Sequence, residues 1–251
     1  MPKVMSITRP LSYTVGGSFP NVARVMSPNP REAAVTPGGT TETIDVDLGS
    51  VQLIDTLFVG FVTTTGAITV TYGTGGYNTF GWLGSPIAAA ASDLLAEDLP
   101  GSRHFVSVLD TPVSARFIRL TVPVDGGQSI GVVVVGKAFR PTFGHEFGAG
   151  RSIEDTGSAD RLFGGGFGIN EGARIGGYQW TLGDLSDAEV RTLYALARNR
   201  GSSRSVLVVE DPEISVGLNE RCHWGLLAPP EAYERFAPGL TRWGLKIRDW
   251  A

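Results

Sequence analysis

Residues 127–131 read Gly-Gln-Ser-Ile-Gly and match the G-x-S-x-G pattern that carries the nucleophile of many hydrolases. That motif needs a strand before the serine and a helix directly after it, so that a sharp turn exposes the hydroxyl. The residues that follow Ser129 are instead the apolar run Val132–Val135, which is typical of a strand. The context predicts a hairpin turn between Val122 and Val132 rather than a catalytic serine.

Two groups of carboxylates offer acid–base or metal chemistry. Asp45 and Asp47 lie two residues apart, so they face the same side of a strand, where paired carboxylates can transfer protons. No third group accompanies them, which favours carboxylates that face solvent or cap a turn. Glu154, Asp155 and Asp160 supply the oxygen ligands that calcium prefers, but their spacing differs from that of an EF-hand loop. A solvated polar turn is the favoured interpretation of that segment.

The three histidines and the single cysteine do not form a recognised metal-binding motif. His145 and Glu146 do not continue as H-E-x-x-H, and the chain has no C-x-x-C. Cys222 and His223 are neighbours, and neighbours on a strand point to opposite faces, so they cannot grip one zinc ion without distortion. We therefore expect no metal site, and we expect His223, His145 and His104 to be structural or surface residues.

The glycine cluster at residues 164–168 resembles a nucleotide-binding loop only in composition. It does not continue as G-x-G-x-x-G and no Gly-Lys-Ser/Thr follows, so neither a dinucleotide fold nor a P-loop is predicted, and we expect no cofactor. The wider glycine-rich segment, residues 144–177, is predicted to be a mobile loop or strands that twist around glycines. In either form it is our candidate for a segment that becomes ordered on assembly.

Three aromatic residues, Tyr77, Phe80 and Trp82, fall in a turn-rich stretch and are the predicted ligand-binding or partner-binding residues. Exposed aromatic rings on the loops of a β-sandwich can stack on sugars or fill a pocket of a partner. The alternative is that these rings cap the end of the sandwich core. No catalytic residue is nominated.

Strands should position all of these residues, because the hydrophobic pattern alternates with a period near 2. The predicted strands are Ile44–Gly49, Ile54–Phe61, Ala67–Tyr72, Arg116–Val122, Ile130–Val135, Tyr178–Leu182, Ser205–Glu210, Cys222–Leu227 and Arg242–Trp250, with a short first strand at Asn21–Met26. Val132–Val135 is apolar at every position, which indicates a central strand covered on both faces or a strand at an interface.

One α-helix is predicted, from Asp187 to Arg200. Ser186 is a suitable N-cap and Glu189 lies three residues further on, which together form a capping box. An apolar stripe at helical spacing should pack on a sheet; its members are Val190, Leu193, Tyr194 and Ala197.

Composition limits the function classes. The 251 residues are 42% hydrophobic and 18% charged, which is enough apolar content for a globular core. The net charge of −4 gives no basic surface for nucleic acid, so no nucleic-acid partner is expected. We see no secretory signal and no apolar run long enough to span a bilayer, so we expect folding in the cytosol without membrane insertion. Cys222 is the single cysteine and cannot form an internal disulfide.

A boundary at Arg140-Pro141 divides the chain into a β-sandwich with an irregular N-terminal segment, residues 1–140, and a β-rich domain with the helix, residues 141–251. The C-terminal strands could also complete the first sandwich. Residues 43–49, 54–57 and 115–120 resemble the discoidin (coagulation factor 5/8 C-type) jelly roll, in which a strand ends in Asp-Leu-Gly and a late strand reads Ala-Arg-Tyr-Ile-Arg. Phe117 replaces the tyrosine of that pattern. The resemblance implies a sandwich whose loops at one end bind glycans or lipids.

The C-terminal part resembles tail-tip and minor tail proteins of tailed phages. The resemblance is carried by Tyr178-Gln179-Trp180, the capped helix, the strand at residues 206–212 and the closing strand at residues 243–250. It implies a phage, prophage or gene-transfer-agent tail component that assembles as a ring or trimer with other tail or baseplate proteins, located in the virion.

These observations predict a non-enzymatic structural component of a phage-like tail tip or baseplate, with host-surface glycans as a further contact. A carbohydrate-binding module is the alternative, and a glycan or ester hydrolase that uses Ser129 or an aspartate pair is the third hypothesis.

Overall fold

The computed structural model describes residues 5–64, 66–74, 103–124, 126–213, 215–229 and 231–250. Strands dominate these residues and one α-helix occurs among them, so the predicted mainly β class is confirmed. The chain forms two compact units. Unit 1 consists of Met1–Arg140 and Leu207–Cys222, and unit 2 consists of Pro141–Val206 and His223–Ala251. A C-terminal segment therefore packs with the N-terminal unit.

The strands, in chain order, are β1 Ser6–Pro10, β2 Thr14–Gly16, β3 Ala34–Thr36, β4 Thr41–Val62, β5 Thr69–Gly73, β6 Arg103–Pro123, β7 Gln128–Phe139, β8 Gly150–Asp155, β9 Ser158–Arg161, β10 Phe167–Asn170, β11 Arg174–Leu185, β12 Val206–Val209, β13 Cys222–Leu227, β14 Glu234–Ala237 and β15 Leu240–Asp249. The helix α1 spans Asp187–Arg200, and a 3₁₀ helix spans Val22–Met26. Among the described residues, no helix is long and apolar enough to cross a membrane.

Unit 1 is built on the antiparallel strand order β5-β6-β4-β7-β1-β12, with β2 added to β4 and β3 added to β7. The long strand β4 pairs with β6 through both of its halves, and its second half also pairs with β7. Residues 41–47 pair with residues 117–123 of β6, and residues 56–62 pair with residues 103–108 of β6 on one side and with residues 130–136 of β7 on the other. The register shifts between the halves, where Gly49 takes the positive φ of 75° that a local kink requires.

Strand β4 and its partner strands enclose the core of the β-sandwich. Side chains from both halves and their partner strands join one buried cluster, which includes Ile44, Val46, Ile118, Leu120, Leu57, Val59, Phe105 and Val133. Stacked sheets bury their inner faces against each other in this manner. The predicted sandwich is confirmed, and Val132–Val135 is a fully buried stretch of β7 between β4 and β1, as predicted for a central strand.

The predicted short strand at Asn21–Met26 is wrong. Asn21 has a left-handed conformation with φ 53°, and the five residues after it form a 3₁₀ helix. Val25 is the one buried residue of that helix. The segment is therefore held by one side chain packed in the core and not by the alternating buried positions that a strand would show. A short turn helix needs only one such contact.

Unit 2 contains the antiparallel order β13-β15-β11-β8, with β14 paired to β15. Strands β9 and β10 form a separate two-stranded sheet. The predicted strands at residues 178–182, 222–227 and 242–250 are confirmed as parts of β11, β13 and β15.

Helix α1 has the predicted bounds and the predicted capping box, and it lies on β11 and β15. Partial burial raises the pKa of Glu189, but hydrogen bonds from Ser186 and Thr142 outweigh this, so its pKa lies below the ordinary value. Three members of the predicted stripe are buried, but Tyr194 is half exposed. Leu196 takes its place in the buried face, because 3.6 residues per turn rotate that position toward the sheet.

Candidate functional site

Ser129 lies in a strand and not at a nucleophile elbow. Its N–H donates to Thr63 Oγ1 at 2.9 Å, and its carbonyl accepts from the Thr63 N–H at 3.2 Å. The predicted hairpin between Val122 and Val132 is also wrong, because β4 separates β6 from β7 in the sheet order. Alternation along the chain does not reveal that a third strand lies between these two in the sheet.

Asp45 and Asp47 are both held by arginines of β6. Arg119 Nε and Nη2 donate to the carboxylate of Asp45 at 2.5 and 2.8 Å, and Arg116 donates to Asp47 through the same two atoms at 2.9 and 3.1 Å. The prediction of a solvent-facing carboxylate is wrong for Asp45, which is buried. The turn-capping prediction is confirmed for Asp47, which accepts the Gly49 N–H at 2.7 Å.

Hydrogen bonds from the Arg116 guanidinium hold the pKa of Asp47 below its ordinary value, against the opposing effect of desolvation, and the Gly49 N–H acts in the same direction as Arg116. A carboxylate bound in this way is a structural ion pair. Its proton affinity is too low for a general base near neutral pH.

The three carboxylates proposed as calcium ligands are exposed, and two of them contact different partners. Glu154 accepts from Arg248 at 2.9 Å, and Asp155 lies 3.5 Å from Arg174 and accepts the Gly157 N–H at 2.8 Å. Within the part of the chain that the structure describes, no group of three or more His, Cys, Asp or Glu side chains is arranged to hold a metal ion.

The histidines have structural surroundings. His104 is buried between Phe58 and Phe61, and its Nδ1 accepts the Phe61 N–H at 3.2 Å. The backbone of His145 pairs with that of Leu182 in an isolated antiparallel β-bridge of unit 2. Cys222 is a buried free thiol, and burial raises its pKa.

Sequence reasoning missed one aromatic and charged cluster in unit 2. His223 Nδ1 donates to Asp249 Oδ2 at 2.9 Å, and its ring stacks on Tyr178 with a centroid distance of 5.1 Å. Tyr178 in turn stacks on Trp180 at 5.3 Å. The spacing of Tyr178 and Trp180 on one strand face was readable from the sequence, but the pairing with His223 depends on strand order.

The predicted binding residues Tyr77, Phe80 and Trp82 lie outside the described residues. In sequence they fall between β5, which ends at Gly73, and β6, which begins at Arg103.

The most unusual described surface is the segment of residues 150–176, which we name the arm. It contains β8, β9, β10 and the first residues of β11. Strands β8 and β11 pair from Gly150–Gln179 to Asp155–Arg174, and β9 and β10 continue the hairpin beyond them. The glycine-rich segment was predicted to be either a mobile loop or strands that twist around glycines, and the second prediction is confirmed.

Gly157 and Gly172 form a joint in the arm. A Cβ on residue 172 would lie 2.0 Å from the Gly157 nitrogen and 2.3 Å from the Thr156 carbonyl carbon, so no side chain fits there. Thr156 N–H donates to the Ala173 carbonyl at 3.0 Å directly before the joint. The two backbones cross closely at this point, which is a recognised use of glycine in strands.

The arm exposes apolar side chains on one face. The register places Ala159 opposite Ile169 and Arg161 opposite Phe167, so these four residues share a face. Phe163 at the tip is fully exposed, and Ile153 and Ile169 are 79% and 72% exposed. No residue from Thr142 to Gly176 is buried.

No protein-family model matches the chain, and no curated protein matches it. Solved structures with a similar fold include CpGH89CBM32-6 produced by Clostridium perfringens (14% identity, TM-score 0.39, covering 51% of this chain and 99% of that one). Others are CBM32-1 from a family 31 glycoside hydrolase of the same organism (14%, TM-score 0.35, 54% and 96%) and an f-lectin (fucolectin) from striped bass serum (10%, TM-score 0.36, 95% and 90%). At these values the likenesses assign no family and no function.

Proposed function

We propose that the chain is a non-catalytic structural subunit of a protein assembly and that the arm binds a second copy of the chain. The observation that carries the proposal is the exposure of the whole arm. It is a stretch without a buried residue that presents Ile153, Leu162, Phe163, Phe167 and Ile169. Contiguous exposed apolar surface with a polar rim is typical of interaction sites.

The physical argument is that the arm lacks a core of its own. An isolated two-stranded hairpin is marginally stable in water, and a third strand or a packed surface is needed to stabilise it. Strands β9 and β10 have no further strand partner among the described residues. A partner that covers the face with Phe167 and Ile169 would supply the missing layer.

The size and charge of the arm fit a second copy. A standard interface involves roughly 20–30 residues on each side, which is the length of the arm. Its charged residues are three arginines and four acids, a difference of −1, so no strongly charged partner is selected; they are Arg151, Arg161, Arg174, Glu154, Asp155, Asp160 and Glu171. A contact between different surfaces of identical copies closes into a ring when the rotation permits.

We propose further that the assembly is the tail tip or baseplate of a phage-like particle, with other tail proteins as partners and the virion as location. The resemblance of residues 142–251 to tail-tip proteins supports this proposal. Particles produced without the chain should show a defective tip by electron microscopy. Intact and infectious particles would contradict the assignment.

The arm can be removed with little disturbance at its joint. Deletion of residues 158–171 joins Gly157 to Gly172 and leaves a two-residue Gly-Gly turn after the Thr156–Ala173 pair, which is a favoured hairpin connection. We expect the intact chain to form a defined oligomer in light scattering coupled to gel filtration, and the deletion variant to be a monomer. Phe163→Ser and Phe167→Ser should weaken the oligomer.

Leu53→Ser is the matched control, because Leu53 is an exposed apolar residue of unit 1 and should leave the mass unchanged. A chain that stays monomeric at every concentration would overturn self-association. An oligomer that survives the deletion would exclude the arm as its interface.

The second candidate is glycan recognition by Tyr77, Phe80 and Trp82, which the sequence places in one connection between two adjacent strands of unit 1. A glycan array should then show binding that Trp82→Ala removes and that Phe147→Ala, an exposed aromatic of unit 2, retains. Absence of binding, or equal binding by both variants, would dismiss this candidate. For the hydrolase hypothesis, any observed activity that survives Ser129→Ala would exclude the serine version.

A further inference from the structure

A groove of about 310 Å³ crosses the exposed face of unit 2. Its floor is formed by β11 and β15, where Gln179 lies opposite Lys246 and Thr181 lies opposite Gly244. These four residues occupy alternate positions on the two strands, so they share the outer face, while Trp180 and Leu245 face the core. None of the residues that line the groove belongs to the arm, which carries the proposed function.

The walls of the groove are hydrogen-bonded to its floor. The segment that contains Gly148 is held where the Glu146 N–H donates to the Thr181 carbonyl at 2.8 Å. On the opposite side, the Ala228 N–H donates to the Lys246 carbonyl at 2.8 Å. The Glu231 carbonyl accepts from Trp243 Nε1 at 2.9 Å. The groove is therefore formed before any ligand arrives, which lowers the cost of ordering on binding.

Gly244 keeps the floor open. A Cβ at this position would meet only Thr181 Oγ1, at 3.9 Å, which is an ordinary contact distance. Its φ does not lie in the left-handed region, so the backbone does not require glycine. Glycine in the interior of a strand weakens it, and one reason to have glycine there is the close approach of a ligand.

Four residues with polar side chains line the groove: Gln179, Thr181, Glu231 and Lys246. Within the described ranges, none of the four makes a side-chain hydrogen bond or an ion pair with the protein. Nearby Glu146 differs, because Arg242 binds it at 3.0 Å. The groove thus offers one ammonium, one carboxylate, one amide and one hydroxyl to a ligand.

We propose that this groove binds a small polyhydroxylated anion that carries a single acidic group. Lys246 supplies a point charge for a carboxylate or phosphate, while Gln179, Thr181 and Glu231 bind hydroxyl groups. The Glu231 carboxylate accepts hydroxyl hydrogens and repels a second acidic group on the ligand. The volume lies at the lower end of the range for ligand pockets, which fits a single sugar ring. Sugar acids and sugar phosphates share this chemistry.

The test is an NMR titration of the full chain with glucuronic acid, glucose 6-phosphate and neutral glucose. We expect saturable shifts of the Gln179, Thr181 and Lys246 amides with one or both anions, and at least about tenfold weaker binding of glucose. A response to glucuronic acid alone identifies carboxylates as the source of the anion, and a response to glucose 6-phosphate alone identifies phosphates.

Two variants and two controls complete the experiment. Gly244→Val should fill the groove and abolish binding, whereas Gly16→Val, at a strand glycine of unit 1 with open space around it, should bind as the parent does. Lys246→Gln should weaken anion binding by about tenfold, whereas Lys137→Gln, at an exposed strand position, should not. Lack of saturable binding by either anion up to about 10 mM overturns the proposal, as does equal binding by Gly244→Val. Light scattering of the same variants reports on self-association separately.

Discussion

The pair β4–β6 of unit 1 and the arm of unit 2 are both antiparallel strand pairs with alternating apolar residues, but they differ in what covers them. In unit 1 the apolar face meets a second layer, and side chains such as Leu120 and Phe105 have no exposure. In the arm, Phe167 and Ile169 occupy equivalent alternate positions and remain exposed. Alternation thus indicates that a face is to be covered, and only the fold shows whether the chain covers it itself.

The largest expected difference between the two regions is the cost of losing a phenylalanine ring. Phe105→Ala should lower the free energy of unfolding by about 3–5 kcal/mol, because it leaves a cavity in the sandwich core. Phe163→Ala should change it by less than about 0.5 kcal/mol in the dilute monomer, because the ring contacts solvent. Urea unfolding followed by circular dichroism measures both values. Similar costs for the two variants would mean that the arm packs on its own chain.

Ion pairs should sharpen the same contrast. Asp45→Asn weakens a buried bidentate pair with Arg119, and we expect a loss of about 2 kcal/mol. Asp155→Asn removes an exposed contact with Arg174 and should cost less than about 0.5 kcal/mol. The same unfolding experiment compares them. An Asp45 variant as stable as the parent would contradict a structural role for this pair.

The sequence predicted where the helix and the strands lie better than it predicted which strands and side chains pair with one another. The helix bounds and its capping box follow from local signals at Ser186 and Glu189, and the unbroken apolar run of Val132–Val135 correctly predicted a central strand. The pair Asp45–Arg119 joins residues 74 positions apart, so it depends on strand register, which no local pattern contains. The same limit explains the hairpin error at Ser129, since the sandwich inserts β4 between β6 and β7.

The arm was predicted only as a glycine-rich candidate interface, because its glycines do not indicate where the backbones cross. The Gly157–Gly172 joint requires the pairing of two distant segments. The groove beside Gly244 escaped prediction for a related reason, since its floor and walls come from separate parts of the chain.

A smaller loss of stability is expected in unit 2 when the N-cap of helix α1 is removed. Ser186→Ala removes the N-cap acceptor of the Glu189 N–H and should lower the stability of unit 2 by about 1 kcal/mol. Tryptophan fluorescence reports mainly on this unit, because four of the five tryptophans (Trp180, Trp224, Trp243 and Trp250) belong to it. Ser158→Ala in the arm is the control and should leave the transition unchanged. A larger loss in the control would show that the arm stabilises the unit.

The smallest expected effect is the pH dependence of the partly exposed pair Asp47–Arg116. The pKa of Asp47 is lower in the folded chain than in the unfolded chain, chiefly because Arg116 binds the carboxylate. The stabilisation from this group is therefore present above the unfolded pKa of about 3.9 and is lost as the pH falls through the folded pKa. At about pH 6, Asp47→Asn should lower the free energy of unfolding by a few tenths of a kcal/mol to about 1 kcal/mol, because solvent screens the pair.

Urea unfolding of the parent and of the Asp47→Asn variant between about pH 6 and about pH 3 should show this difference shrinking toward the acid end. A difference that stays constant or grows on acidification would mean that the Asp47 charge does not stabilise the β4–β6 pairing, and that the pair in unit 1 is energetically equivalent to the exposed pairs of the arm.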